Sequence, residues 1–184
     1  MICVTGVTIF QDKEENILNY IKITPIDVAN GPGCRVVLWT SGCEHHCKEC
    51  HNPETWNHNA GITFDDKAEK ELFNALSKPF IHGITLSGGD PLHPNNIEAI
   101  TKLCKKIKKE MPNKTIWCYT GYTYENIKNL ELINYLDVLV DGKFEIDKKD
   151  ITLLFRGSSN QRLIDIPNTI KNEQIMLFNN NTAF

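Results

Sequence analysis

Short apolar runs alternate with amphipathic segments through most of the chain. Residues 36–39 are continuously apolar between turn residues, a pattern typical of a strand buried on both faces, and residues 83–86 resemble them. Residues 114–119 and 137–140 predict two further strands of this kind. Residues 20–28 instead alternate apolar and polar positions, as in a strand with one buried face.

Helical periodicity fills the intervals between these runs. Apolar side chains recur every three or four positions in residues 65–77, 96–111 and 124–136, and Pro79 and Pro112 follow the first two segments. Residues 153–155 indicate one more strand. Alternating strands and helices predict an α/β fold, which we interpret as a single-domain, incomplete TIM-like barrel of about six mostly parallel strands.

Composition narrows the class of protein. The 184 residues suit one compact domain, which we place at residues 20–178, after an N-terminal arm of unknown role (1–19) and before a flexible tail (179–184). A net charge of −3 argues against nucleic acid as a partner, and no apolar run is long enough to span a membrane. The odd number of seven cysteines, three of them clustered, predicts a cytoplasmic protein without a disulfide framework.

Three cysteines follow the predicted strand at residues 36–39. Cys43, Cys47 and Cys50 fall within eight residues of a loop, a spacing that suits metal binding. As thiolates they would bind three irons of a four-iron, four-sulfur cluster and leave the fourth iron open to a ligand. A zinc site completed by a nearby histidine is the alternative, and the candidates are His45, His46 and His51.

A second loop with binding character follows the strand at residues 83–86. Gly88 and Gly89 would let the backbone approach a small ligand, and Asp90 adds a carboxylate that could face an ammonium group. Both loops leave the carboxyl ends of neighbouring predicted strands, where α/β proteins build their sites. A ligand that chelates an open iron through amino and carboxylate groups would bridge them, and an amino acid derivative has this chemistry.

These motifs resemble those of a known family. Cys43-x-x-x-Cys47-x-x-Cys50 is the cluster motif of radical S-adenosylmethionine enzymes, and Gly88-Gly89-Asp90 is similar to their methionine-binding motif. Within that superfamily, the chain most resembles the activating proteins of anaerobic ribonucleotide reductases. The segments that carry this closer resemblance are Asn30-Gly31-Pro32-Gly33, Ser41-Gly42-Cys43, Ser87-Gly88-Gly89-Asp90-Pro91-Leu92, Trp117-x-Tyr119-Thr120-Gly121-Tyr122, Val140-Asp141-Gly142-Lys143-Phe144 and Arg156-Gly157-Ser158-Ser159-Asn160-Gln161.

The resemblance implies an enzyme with a 4Fe-4S cluster and S-adenosylmethionine as cofactors. One electron, from a donor such as flavodoxin, would cleave S-adenosylmethionine to a 5'-deoxyadenosyl radical, which would take hydrogen from a glycine of the reductase large subunit. No side chain need act as an acid or base, since the cofactors perform the radical chemistry. Another glycyl-radical enzyme, or a metabolite, is an alternative target.

The resemblance also implies which residues surround the cofactors. We expect Glu49, Cys50 and His51 beside the cluster, although related proteins often have an aromatic residue in place of Glu49 and tyrosine in place of His51. Cys34 is an alternative fourth ligand of the cluster.

Further expectations concern the loops predicted at the same edge of the sheet, the aromatic residues and the remaining thiols. The expected nucleoside contacts in these loops are Asp141, Ser158 and Asn160. The expected core aromatics are Trp39, Trp117 and Tyr119, and the expected free buried thiols are Cys3, Cys34, Cys104 and Cys118.

Overall fold

The fold of residues 17–179, which a computed structural model describes, is a seven-stranded sheet with helices packed against it. The strands are β1 (Asn19–Asp27), β2 (Cys34–Thr40), β3 (Ile62–Thr63), β4 (Ile81–Gly88), β5 (Thr115–Tyr119), β6 (Val138–Asp141) and β7 (Arg162–Asp165). The helices are α1 (Asp66–Leu76), α2 (Ile97–Glu110), α3 (Tyr124–Ile127) and α4 (Ile166–Asn172). Three 3₁₀ turns cover Pro53–Thr55, Glu131–Tyr135 and Ile146–Lys148.

The strand order is β3-β1-β2-β4-β5-β6-β7. The four central strands β2, β4, β5 and β6 are parallel to one another. β1 and β7 run antiparallel to their neighbours, and β3 pairs antiparallel with β1. The prediction of a mostly parallel α/β sheet is therefore confirmed in its centre. The sheet does not close on itself, so the expected likeness to a TIM barrel is not confirmed.

The two faces of the central strands have different surroundings. Val36 and Leu38 of β2 face the main core with the helices, whereas Trp117 of β5 packs on the opposite face with Phe155 and Phe178. The alternation follows from the two-residue repeat of a strand. Helices α1 and α2 bury their apolar sides in the main core, as their sequence periodicity predicts. A cavity of the molecule lies on the face of the sheet that α1 and α2 do not cover.

The predicted helix at residues 124–136 is wrong in its middle. α3 ends at Ile127, the backbone of Leu130 is extended, and residues Glu131–Tyr135 form a 3₁₀ turn. Despite this break in the helix, Ile127 and Ile133 are still buried in the main core. Tertiary packing therefore overrides the helical periodicity, because two short turns bury the same apolar residues.

The predicted strand at residues 153–155 is also wrong. This segment lies in a surface loop closed at its base by a bridge between Lys149 and Ser158, and the side chain of Leu154 is 60% exposed. The last strand is instead β7, whose outer edge pairs with the chain near Leu177. β7 was missed because its four residues include Arg162 and Asp165, which interrupt any apolar run.

The ends of the chain lie partly outside the described residues. Of the predicted N-terminal arm, residues 1–16 are not described, while Leu18 is buried in the main core and Asn19 begins β1. Residues 180–184 of the predicted tail are likewise outside. In the part of the chain that the structure describes, no helix has the length and apolar character to cross a membrane.

Glu125 and Arg162 join α3 to the start of β7, and this pair predicts an acid-dependent loss of stability. Hydrogen bonds from Arg162 lower the pKa of Glu125 from 4.5 to about 2. Because the folded-state pKa is depressed, the pair stabilises the fold fully above pH 4.5 and loses that contribution as the pH falls towards 2. Glu125 is half exposed, so we expect the pair to contribute less than about 1 kcal/mol to the free energy of unfolding.

Urea unfolding of the native protein and Glu125→Gln at pH 7, 4 and 3 tests this expectation. The difference in free energy of unfolding between the two should shrink as the pH falls. A difference that is constant over this range would contradict the assignment of the pair.

Candidate functional site

A cavity of about 460 Å³ opens at the carboxyl ends of the parallel strands, on the face opposite α1 and α2. Both loops singled out in the sequence border it. The lining residues are Ala29, Asn30, Trp39, Cys43, His45, Cys47, Cys50, His51, Asn52, Thr55, Trp56, Ser87, Gly88, Gly89, Asp90, Tyr119, Thr120, Gly121, Gly142, Phe144, Phe155, Arg156, Gly157 and Gln161. Of the three expected core aromatics, Trp117 is buried, whereas Trp39 and Tyr119 are half-buried and face the cavity.

All three cysteines of the predicted cluster loop line this cavity as free thiols. Burial raises the pKa of Cys43 to about 11, against the opposing effect of a hydrogen bond from the backbone of His45. Burial also raises the pKa of Cys47. Both thiols are therefore protonated near neutral pH in the metal-free protein, and metal binding must release these protons.

The loop after β6 contacts the cysteine loop at Cys47. The backbone of Phe144 donates a hydrogen bond to the sulfur of Cys47, and the charge of Lys143 also favours the thiolate. The backbone N–H of Asn52 lies 3.4 Å from Cys50 Sγ. Cys47 and Cys50 are thus held by backbone donors, which would also stabilise negative charge on metal-bound sulfur.

The glycine loop after β4 approaches the cysteine loop closely. The N–H groups of Gly89 and Asp90 each donate to a backbone oxygen at the end of β2, those of Thr40 and Gly42, at 2.7 Å. A Cβ atom on Gly88 would lie 2.7 Å from the Thr40 backbone, and one on Gly89 would lie 2.5 Å from the Gly42 oxygen. Glycine is therefore required at both positions by the packing of the two loops.

Asp90 lies in the cavity wall but is only 2% exposed. Its Oδ2 accepts hydrogen bonds from His45 Nε2 at 2.5 Å, from the Thr120 hydroxyl at 2.9 Å and from the Gly121 N–H at 3.1 Å. Its Oδ1 accepts the Leu92 N–H at 2.8 Å. The carboxylate thus joins the cysteine loop, the glycine loop and the loop after β5.

The other predicted residues lie at the edge of the cavity or outside it. His51 is exposed at the cavity edge, and its ring centroid lies 6.2 Å from that of Phe144. Glu49 is exposed and does not line the cavity. The three expected nucleoside contacts, Asp141, Ser158 and Asn160, do not line it either. Asp141 is buried and bonds to Arg162 and to the Tyr124 N–H.

Cys34 cannot be a fourth ligand, which corrects that alternative. It begins β2, whereas the cysteine loop leaves the other end of the same strand. A strand of seven residues is roughly 20 Å long. Cys104 and Cys118 are free and buried, as expected, while Cys34 is half-buried and Cys3 lies outside the described residues.

Two cavity residues that sequence reasoning did not single out for binding hold buried polar atoms without a partner. In the described part of the chain, these atoms are Trp56 Nε1 and Arg156 Nε. Orphaned buried donors are costly, so each one indicates a hydrogen-bond acceptor in the filled cavity. Together with three thiols on one wall, they fit a thiolate-bound cluster beside a ligand that carries acceptor oxygens or nitrogens. Arg156 lies in a segment that carries the family resemblance, whereas the sequence around Trp56 gives no local signal of a binding role.

Comparison with known proteins decides the family. Residues 29–164 match the family model of the 4Fe-4S single cluster domain. A protein of Enterobacteria phage T4 named anaerobic ribonucleoside-triphosphate reductase-activating protein is 50% identical over 146 residues, 79% of this chain and 93% of its own length. The chain belongs to this family of activating proteins. Members from Escherichia coli K12 and Pasteurella multocida are 46% and 43% identical, each over 78% of this chain and 96% and 95% of their own lengths.

The activating-protein family favours iron and sulfide over zinc at the three cysteines, since the matching domain is defined by a single 4Fe-4S cluster. Within residues 17–179, no three histidine, cysteine or acidic side chains are grouped closely enough to hold a single metal ion. A four-iron cluster is larger than one ion and binds its thiolates through different irons.

Proposed function

We propose that this chain is a radical-generating activating enzyme for the large subunit of an anaerobic ribonucleotide reductase. One observation carries the proposal: the three thiols of an iron-sulfur family share one cavity with a glycine loop at the carboxyl edge of the sheet. The names of relatives 43–50% identical supply the target. The cofactors are one 4Fe-4S cluster, held by Cys43, Cys47 and Cys50, and S-adenosylmethionine.

When both cofactors are bound, they supply a one-electron cleavage of S-adenosylmethionine and a 5'-deoxyadenosyl radical that takes hydrogen from a glycine of the reductase. The chain's own residues bind and orient. Gly88 and Gly89 bring backbone close to the methionine end, and Asp90 fixes the shape of their loop. Trp56 and Arg156 provide N–H donors to the ligand, and the half-buried ring of Tyr119 helps to exclude water.

A protein substrate suits this cavity better than a metabolite. About 460 Å³ lies within the usual range for a small-molecule pocket, so one nucleoside cofactor would occupy much of it. The cavity face also has no helical cover among the described residues, since α1 and α2 pack on the other face. A partner could therefore cover the mouth and exclude water during the reaction. The electron would come from a separate donor such as flavodoxin.

Electron paramagnetic resonance tests the proposal directly. Anaerobically reconstituted, reduced protein is mixed with S-adenosylmethionine and the large subunit of an anaerobic reductase, and the spectrum is compared with a sample that lacks S-adenosylmethionine. We expect a glycyl-radical signal on the reductase only in the complete mixture. A cluster signal that responds to S-adenosylmethionine without a glycyl radical would reject the target but keep the enzyme class. Bound zinc without any cluster signal would reject the proposal entirely.

A further inference from the structure

Asp90 makes four side-chain hydrogen bonds at the cavity, and its partners come from three different loops. We call Asp90, His45, Thr120 and Gly121 the loop anchor. Four donors bond to the carboxylate, and an ionised carboxylate offers about four acceptor positions. With 2% exposure, the group has little capacity left for a ligand's ammonium group. Its contribution to a site is therefore to hold the loops.

His45 is the member of the loop anchor that reaches across from the cysteine loop. It lies midway between Cys43 and Cys47, and its side chain is 15% exposed. Its ring packs edge-on against Tyr122 with centroids 4.6 Å apart. A Cβ atom on Gly121 would collide with the ring, so the loop after β5 fits closely around the imidazole.

We infer that His45 is a positioning residue, which acts through Asp90 to set the separation between the cysteine loop and the glycine loop. Loss of its N–H would leave one buried bond of the carboxylate unmade and free the middle of the cysteine loop to move. The residues that hold the cluster and those that hold the methionine end of S-adenosylmethionine would then no longer lie at a fixed separation. This role rests on the proposed function, because the two loops need a fixed separation only if one ligand bridges them.

The same loop provides a matched control. His46 lies between the same two cysteines, but its ring packs edge-on against Trp56 with centroids 4.8 Å apart. It has no part in the loop anchor. Substitution of either histidine by phenylalanine removes one imidazole from the three residues between Cys43 and Cys47 and leaves every thiol in place.

The experiment compares native protein, His45→Phe, His45→Gln and His46→Phe after anaerobic reconstitution. Three quantities are measured without the reductase: iron per chain, the dissociation constant of S-adenosylmethionine, and the change that this ligand causes in the spectrum of the reduced cluster. We expect native iron content in all four. His45→Phe should weaken binding by about 10–100-fold, the usual effect of losing a hydrogen bond to a buried charged group, and suppress the spectral change.

His45→Gln keeps an N–H donor and should recover part of the affinity. His46→Phe should stay within about twofold of native, because phenylalanine keeps the ring contact with Trp56 and leaves the loop anchor untouched. Native affinity in His45→Phe, or an equal loss in His46→Phe, would overturn the inference. Loss of iron from His45→Phe alone would also overturn it, since His45 would then serve the cluster directly.

A second variant covers the case in which His45→Phe does not fold. Thr120→Val removes another donor to the same Asp90 oxygen from outside the cysteine loop. Weaker binding of S-adenosylmethionine with full iron content supports the loop anchor, and native binding overturns it. If native protein loads the cluster but binds no S-adenosylmethionine, the proposed function itself fails, which separates the two failures.

Discussion

Cys47→Ala should abolish formation of the glycyl radical while leaving the fold intact. The cavity would keep two of its three thiols, and a cluster held by two thiolates is labile. We expect a larger loss than the roughly 10–100-fold effect of removing an outer partner of a metal site. Cys47 is only half-buried, so the free energy of unfolding of the metal-free protein should change little.

Cys34→Ala is the matched control for this prediction. Cys34 is also half-buried and free, but it lies at the opposite end of β2 from the cysteine loop. Iron per chain and the glycyl-radical signal should both remain native in this variant. Equal losses in Cys34→Ala and Cys47→Ala would show that the cluster is not held at the cavity.

Arg35→Met should lower the free energy of unfolding by about 3 kcal/mol, because it leaves buried acceptors unpaired. The Arg35 side chain is 1% exposed, and burial lowers its pKa to about 10. Its guanidinium donates to the hydroxyls of Thr85 and Thr115 at 2.8 and 2.9 Å and to the Ile84 oxygen at 2.7 Å. It also lies over the ring of Trp117.

Urea unfolding followed by circular dichroism measures this loss. Lys105→Met removes an exposed cation by the same substitution and should stay within about 0.5 kcal/mol of native. If Arg35→Met were as stable as Lys105→Met, the hydrogen bonds of Arg35 would only offset its desolvation. The effect is expected in metal-free protein, so it is separate from any loss of cofactor.

The strands and loops of the cavity were predictable because they depend on local pattern. The apolar run at residues 36–39 is long enough to specify a buried strand, and the spacing of Cys43, Cys47 and Cys50 specifies a metal loop. The fold shows the strand and brings the three thiols to the cavity, while their role as metal ligands stays a prediction. The family of the chain was also predictable, through ordered motifs that the comparisons confirm.

The parts that could not be predicted depend on contacts between distant segments. Nothing near Asp90 in the sequence shows that His45 and Thr120 occupy its oxygens, since these partners lie 45 and 30 positions away. β7 is specified by its antiparallel pairing with β6 rather than by its own four residues. The extended backbone at Leu130 likewise follows from packing, because the local sequence has a regular helical period.

The margins of the open sheet bear on whether strands of other chains can pair with this one. An open sheet ends in two edge strands, and unpaired edges recruit strands of other chains into aggregates. One margin here is β3, which has only two residues, and the chain near Leu177 pairs with the outer side of β7. Among the described residues, β3 pairs with only Asn19 and Tyr20 of β1, so it leaves the outer edge of residues 21–27 uncovered. The β7 margin is therefore better protected than the β1 margin against pairing with a strand of another chain.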